Sequence, residues 1–117
     1  MSRLSEHFMS EEFECRCCNK FIPCDELVQL LESIRFSVQR PIVISSGTRC
    51  EAHNRASGGD PKSWHLKGQA VDIPVIDKLD RYRVVAAAIS AGATDIGVYD
   101  WGVHVAVNTP IGLWRGR

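Results

Sequence analysis

The chain has 117 residues, 44% of them apolar and 24% charged, with 14 basic and 14 acidic side chains and a formal charge of zero. Such a chain suits one globular domain with a modest core. Recruitment to nucleic acid by bulk charge is excluded, since no basic stripe with interleaved aromatics is present, and no apolar run reaches transmembrane length.

Residues 1–23 read as an irregular leader packed on the domain through Phe8, Met9 and Phe13, with one helical turn over 9–13 capped by Ser10. Its first residues lack the apolar centre of a signal peptide, so the chain is expected to be made in a cytoplasm and to need outside help for export. Leu27, Leu30, Leu31, Ile34 and Val38 follow helical spacing after Asp25 and predict a helix over about 25–38. Past Pro41, the β-branched run Ile42-Val43-Ile44 predicts a buried strand, and Ser45–Arg49 a turn leaving it. One or two helical turns are expected over 50–57, broken by Gly58-Gly59-Asp60-Pro61.

A loop carrying Ser63 and His65 leads into a strand over Ala70–Ile73, and Pro74 argues that this strand is short or lies at an edge. Asp77 or Asp80 caps a second main helix over about 78–91, with Leu79, Tyr82, Val85, Ala86 and Ile89 as its expected buried face. Residues 96–99 and 103–107 form a hairpin about Asp100-Trp101-Gly102, and the tail from Asn108 onward is expected to be a covering loop. The expected fold class is α+β: two main helices against a small, mostly antiparallel sheet.

Five cysteines are present, and Cys15, Cys17, Cys18 and Cys24 fall within ten residues. The clustering suggests a metal knuckle, but Cys-x-Cys-Cys-x₅-Cys lacks the C-x₂-C pairs of structural zinc sites. The odd count also argues against a full disulfide framework. Reduced thiols, one disulfide reaching Cys50, and a second metal all remain open.

The chemistry concentrates in Ser63-Trp64-His65-Leu66-Lys67-Gly68-Gln69-Ala70-Val71-Asp72. His65 and Asp72 are ligand types that suit Zn²⁺, and His104 in the hairpin can complete a three-ligand set. Three protein ligands leave one position open, as in catalytic rather than structural sites.

This stretch resembles, position for position, the S-x-H-x-x-G-x-A-x-D signature of the zinc D-Ala-D-Ala carboxypeptidase and L-alanyl-D-glutamate endopeptidase family, which has the hedgehog-type metallopeptidase fold. Ser46-Gly47-Thr48-Arg49 is similar to that family's S-G-x-R element. Asn54 and Gly58-Gly59 sit where small members place an H-N and a G-G, and Val103-His104-Val105 resembles the strand carrying the second histidine. The resemblance implies that His65, Asp72 and His104 ligate zinc, that Arg49 binds substrate, and that Ser63 contacts it. For Arg49 a surface ion pair with Glu51 or Asp60 is the alternative, and for Ser63 a loop-capping role. The implied substrate is the peptide stem of bacterial peptidoglycan, cut by a monomeric enzyme at the cell wall, and the expected lack of a signal peptide resembles small phage or prophage lysis enzymes of the family.

Two departures stand out. Many relatives carry an acidic residue three positions before the last histidine or an aspartate two after it, and those places hold Trp101 and Ala106. Asp100 is then the nearest candidate to take a proton from the activated water and pass it to the leaving amine, with an ordinary solvated turn residue as the alternative. The competing reading is a zinc-binding module, attached to the wall or to a virion, that has lost catalysis.

Overall fold

Helix α1, Asp25–Val38, forms where the apolar period runs, and it buries Leu27, Val28, Leu30, Leu31 and Ile34. It stops where Gln39 turns left-handed at φ 57° and returns its N–H to the Arg35 carbonyl. In the computed structural model, which describes residues 2–116, two further helices follow, α2 (Glu51–Ala56) and α3 (Lys78–Ser90). They accompany a four-stranded sheet of β1 (Ala70–Pro74), β2 (Asp95–Val98), β3 (Gly102–Ala106) and β4 (Gly112–Arg115). The strand order is β1-β3-β2-β4, antiparallel except for the parallel β2–β4 pair. The class is α+β, and no helix among the described residues is long and apolar enough to cross a membrane.

One face of the sheet presents Val71, Ile73, Ile96, Val103 and Val105 to the helices, which form a common core with Phe8 and Phe13 of the leader. The leader's turn is a 3₁₀ turn over Ser10–Phe13. The cap position falls on Met9, whose N–H meets Glu12 Oε2 at 2.7 Å, while the Ser10 hydroxyl accepts from Ser2 N.

Three local expectations change. Helix α3 is capped by Asp77 as expected, yet it buries Val84, Ala87 and Ala88, and leaves Leu79, Tyr82 and Ile89 exposed. Its apolar residues lie on several sides, so their period does not fix the rotation. Packing on α1 selects the alanine face, which permits close approach.

The run Ile42-Val43-Ile44 keeps alternating burial but is not a strand; pairing is confined to a single bridge between Ser46 and Asp72. The Arg16 guanidinium takes the Ile44 and Ser45 carbonyls, at 3.0 and 3.3 Å, and so occupies groups a neighbouring strand would need. The tail is not a plain covering loop: it turns at Asn108 (φ 58°) and returns as β4 alongside β2.

Candidate metal centre

The other face of the sheet carries a row of residues in cross-strand register: Asp72 on β1, His104 on β3, Gly97 on β2 and Trp114 on β4. Side chains directly opposite in a sheet share a face, so Asp72 and His104 are neighbours by construction. Gly97 is a required gap, because a Cβ there would lie 2.3 Å from the Trp114 ring. Trp114 leans across that gap to within 5.2 Å of the His104 ring.

His65 comes from outside the sheet, on a 3₁₀ turn over Trp64–Lys67. Ser63 caps the turn by accepting from His65 N at 3.2 Å, and Gly68 ends it at φ 71°. No other residue suits Gly68: besides the left-handed backbone, a Cβ would come within 2.6 Å of Ile22.

Ring-nitrogen roles follow from the partners. His65 Nδ1 is 2.8 Å from the Gly47 carbonyl, which can only accept, so Nδ1 carries the proton and Nε2 is a bare electron pair. That Nε2 faces Asp72 Oδ1 at 3.2 Å. His104 Nδ1 faces the same oxygen at 3.3 Å, and its Nε2 lies 3.2 Å from Asp95 Oδ2. The Asp95 oxygen is at ion-pair distance from Nε2 but off the N–H line, so this buried nitrogen has a charge beside it and no aligned hydrogen bond. Asp72 Oδ2 is held separately by Arg49 Nη2 at 2.9 Å.

Three electron-pair donors thus meet within 4.8 Å of one another, all buried. Neutral histidines in these tautomers repel the carboxylate oxygen, so the arrangement calls for a cation between them. Two imidazoles and a carboxylate fit zinc. Burial acts to raise the Asp72 pKa; against it, protonated His104 and His65 rings, or a cation between the three groups, hold the carboxyl well below the usual carboxylate range. The carboxylate is therefore available as an electron-pair donor.

The set floors a cleft of about 540 Å³. Arg49, Lys62 and Ser63 line it with Trp64, Tyr99 and Trp114. Arg49 forms no surface pair with Glu51 or Asp60; it is bound to Asp72, to Ser46 Oγ at 3.0 Å and to Asn54 Oδ1 at 3.3 Å. Asn54 in turn donates to the Asp60 carbonyl, tying the Gly58-Gly59 turn to the same arginine. Burial, and then the charge of Asp72, push the Tyr99 phenol up, so it stays protonated.

Asp100 does not join these residues. Its side chain is 89% exposed and pairs with Arg115 at 3.3 Å, because the hairpin turn swings it away from the cleft. Trp101 stacks on Tyr99 at 4.5 Å and brings no acid either. Besides Asp72, the carboxylate that does reach His104 is Asp95, which the sequence reading missed. Hairpin arithmetic could have found it: the pairing that sets Gly97 opposite His104 sets Asp95 opposite Ala106, on the same face. An acid on β2 thus stands across from the position that lacks one on β3. Trp114 and the Gly47 carbonyl carry no local signal of their roles, and Asn54, marked in the sequence only by resemblance, clamps Arg49.

The Peptidase M15 family model matches residues 6–108. No curated protein matches the chain. Among solved structures, the crystal structure of the L-Ala D-Glu endopeptidase ChiX of Serratia marcescens is similar, at 20% identity and a TM-score of 0.55 over 71% of this chain and 78% of that one. At that identity the likeness is one of fold.

Proposed function

The chain belongs to the peptidase M15 family, and on that premise we propose that it is a zinc-dependent peptidase that hydrolyses the peptide stems of peptidoglycan at the bacterial cell wall. The observation that carries this reading is the convergence of His65 Nε2, Asp72 Oδ1 and His104 Nδ1 on the floor of a peptide-sized cleft. His65, Asp72 and His104 would hold a zinc ion, which would supply the Lewis acidity to polarise a scissile carbonyl and to acidify water towards a pKa of about 7.

The surrounding side chains do the positioning. Arg49 fixes Asp72 with one arm of its guanidinium and, with Lys62, offers positive charge to the carboxylates of a stem peptide. The Tyr99 phenol is a donor for a substrate carbonyl in which negative charge develops. Ser63, whose oxygen caps the His65 turn, keeps its own O–H for substrate. Trp64 and Trp114 wall the cleft against water. Asp95 orients His104, so that Nδ1 rather than Nε2 faces the metal position.

The test is digestion of purified peptidoglycan by zinc-loaded protein, followed by mass analysis of released fragments. New amino termini or released D-alanine, abolished by chelator and by His104→Ala, are expected; an unchanged wall overturns the hydrolase reading. A second reading is favoured by one observation: neither Trp101 nor Ala106 brings an acid to the cleft, and Asp100 faces away from it. In that case zinc is retained and the protein binds the wall without cutting it, as a wall-associated or virion module. Zinc-dependent co-sedimentation with intact peptidoglycan, without new fragments, identifies it.

A further inference from the structure

Away from the cleft, four thiols from two distant stretches converge. We propose that Cys15, Cys17, Cys18 and Cys50 hold a second zinc ion, in a closed structural site that clamps the N-terminal leader to the segment supplying Arg49. All four sulfurs lie within 4.8 Å of one another. Cys17 Sγ is 3.6 Å from Cys15 Sγ and 3.3 Å from Cys50 Sγ. A zinc tetrahedron with bonds of about 2.3 Å has sulfur–sulfur edges of about 3.8 Å, so the cluster needs to adjust by only a few tenths of an ångström to about one ångström.

The backbone is shaped for this. Residues 15–20 form a tight turn, closed by Asn19 N to Cys15 O and Cys15 N to Lys20 O, both 2.8 Å, with Asn19 left-handed at φ 63°. The turn gathers three thiols although their spacing lacks a C-x₂-C pair. Two backbone N–H groups already point at sulfur, Cys50 N at Cys15 Sγ and His53 N at Cys50 Sγ, both 3.4 Å, and such donors stabilise thiolates. Cys24, the fifth cysteine, stands apart with its sulfur against Glu26.

Four sulfur ligands select zinc over calcium or magnesium and leave no position for substrate, so this site is structural where the His65 site is open. A disulfide would use two of the thiols and leave the buried Cys15 or its neighbours without a role. The mechanical consequence follows from the contacts beside it. Thr48 N bonds to Phe13 O at 2.8 Å, and Gly47 packs so closely on Phe13 that a Cβ would sit 2.6 Å from that carbonyl. The same short segment gives its Gly47 carbonyl to His65 and its Arg49 side chain to Asp72. A thiolate-bound metal at Cys50 therefore holds the support of the cleft from behind.

The experiment is metal counting on the full chain, purified with reductant and without chelator. Wild type is expected to carry about two zinc ions per chain, and His65→Ala/His104→Ala and Cys17→Ser/Cys18→Ser about one each. Cobalt substitution of the histidine variant reads the site without any activity: intense thiolate-to-cobalt charge-transfer bands are expected. Absence of those bands, a zinc count unaffected by the cysteine substitutions, or an intact mass two hydrogens low with Cys17 and Cys50 linked would each overturn the proposal. If the cysteine variant does not fold, the cobalt spectrum of the histidine variant decides alone. Neither readout depends on peptidase activity.

Discussion

Replacing Asp95 by asparagine keeps the shape of the side chain and removes its charge. In the wild type, Asp95 accepts from Trp114 Nε1 through both oxygens at 3.2 Å and sets Oδ2 beside His104 Nε2. Two full charges 3.2 Å apart at an effective dielectric of about 20 would interact by about 5 kcal/mol. A neutral imidazole N–H carries only a fraction of a charge, which brings the expectation to about 1.4–2.7 kcal/mol, or 10–100-fold in zinc affinity, the usual weight of a carboxylate behind a metal-binding histidine. Asparagine should be at least as harmful as alanine. If its carbonyl stays with Trp114, its NH₂ faces Nε2, drives the ring proton to Nδ1, and turns the ligating nitrogen into a donor. Zinc competition against a chromophoric chelator measures the effect, with metal-free thermal melts to confirm that both variants fold. Affinity within about two-fold of wild type in Asp95→Asn would refute both the tautomer assignment and the role given to Asp95.

Asp100→Asn is expected to leave turnover and zinc binding unchanged, because the side chain faces solvent and Arg115; a large loss in wall digestion would return Asp100 to the site. Gly47→Ala places a Cβ 2.6 Å from a backbone carbonyl that cannot swing aside, so a loss of about 1–3 kcal/mol in urea unfolding is expected, with weaker zinc binding because His65 leans on the Gly47 carbonyl. Glu32 gives a pH signature. Partial burial acts to raise its pKa, and contacts with Ser5 Oγ, at 2.5 Å, with the His7 ring at 2.7 Å and with His7 N, at 2.8 Å, outweigh it and leave it below 4.5. A depressed folded pKa means the stabilisation is complete above the unfolded value and is lost as pH falls through the folded one. Melting temperatures of wild type and Glu32→Gln should therefore differ at neutral pH and converge in acid below about 4.5; a constant gap would remove this group as the cause.

The sequence by itself determined the elements whose signals are local. The period of Leu27, Leu30, Leu31 and Ile34 defines α1 because one helix face repeats within a few residues. The 63–72 stretch defines its own turn: Ser63 caps it, Gly68 must turn left-handed, and His65 and Asp72 lie close along the chain. His104 was legible through its hairpin. Tertiary structure decided whatever depends on register and on contacts between distant segments. Asp95 became the partner of His104 through strand pairing, while Asp100, nearer in sequence, was turned to solvent. Helix α3 turned Ala87 and Ala88 inward, and not Ala86, because α1 was there to receive them, and β4 formed because β2 offered a free edge. Cys50 lies 32 residues beyond Cys18 in the chain, yet its sulfur sits among those of the leader. Spacing rules read neighbours along the chain, whereas these contacts exist only once the core between them has closed.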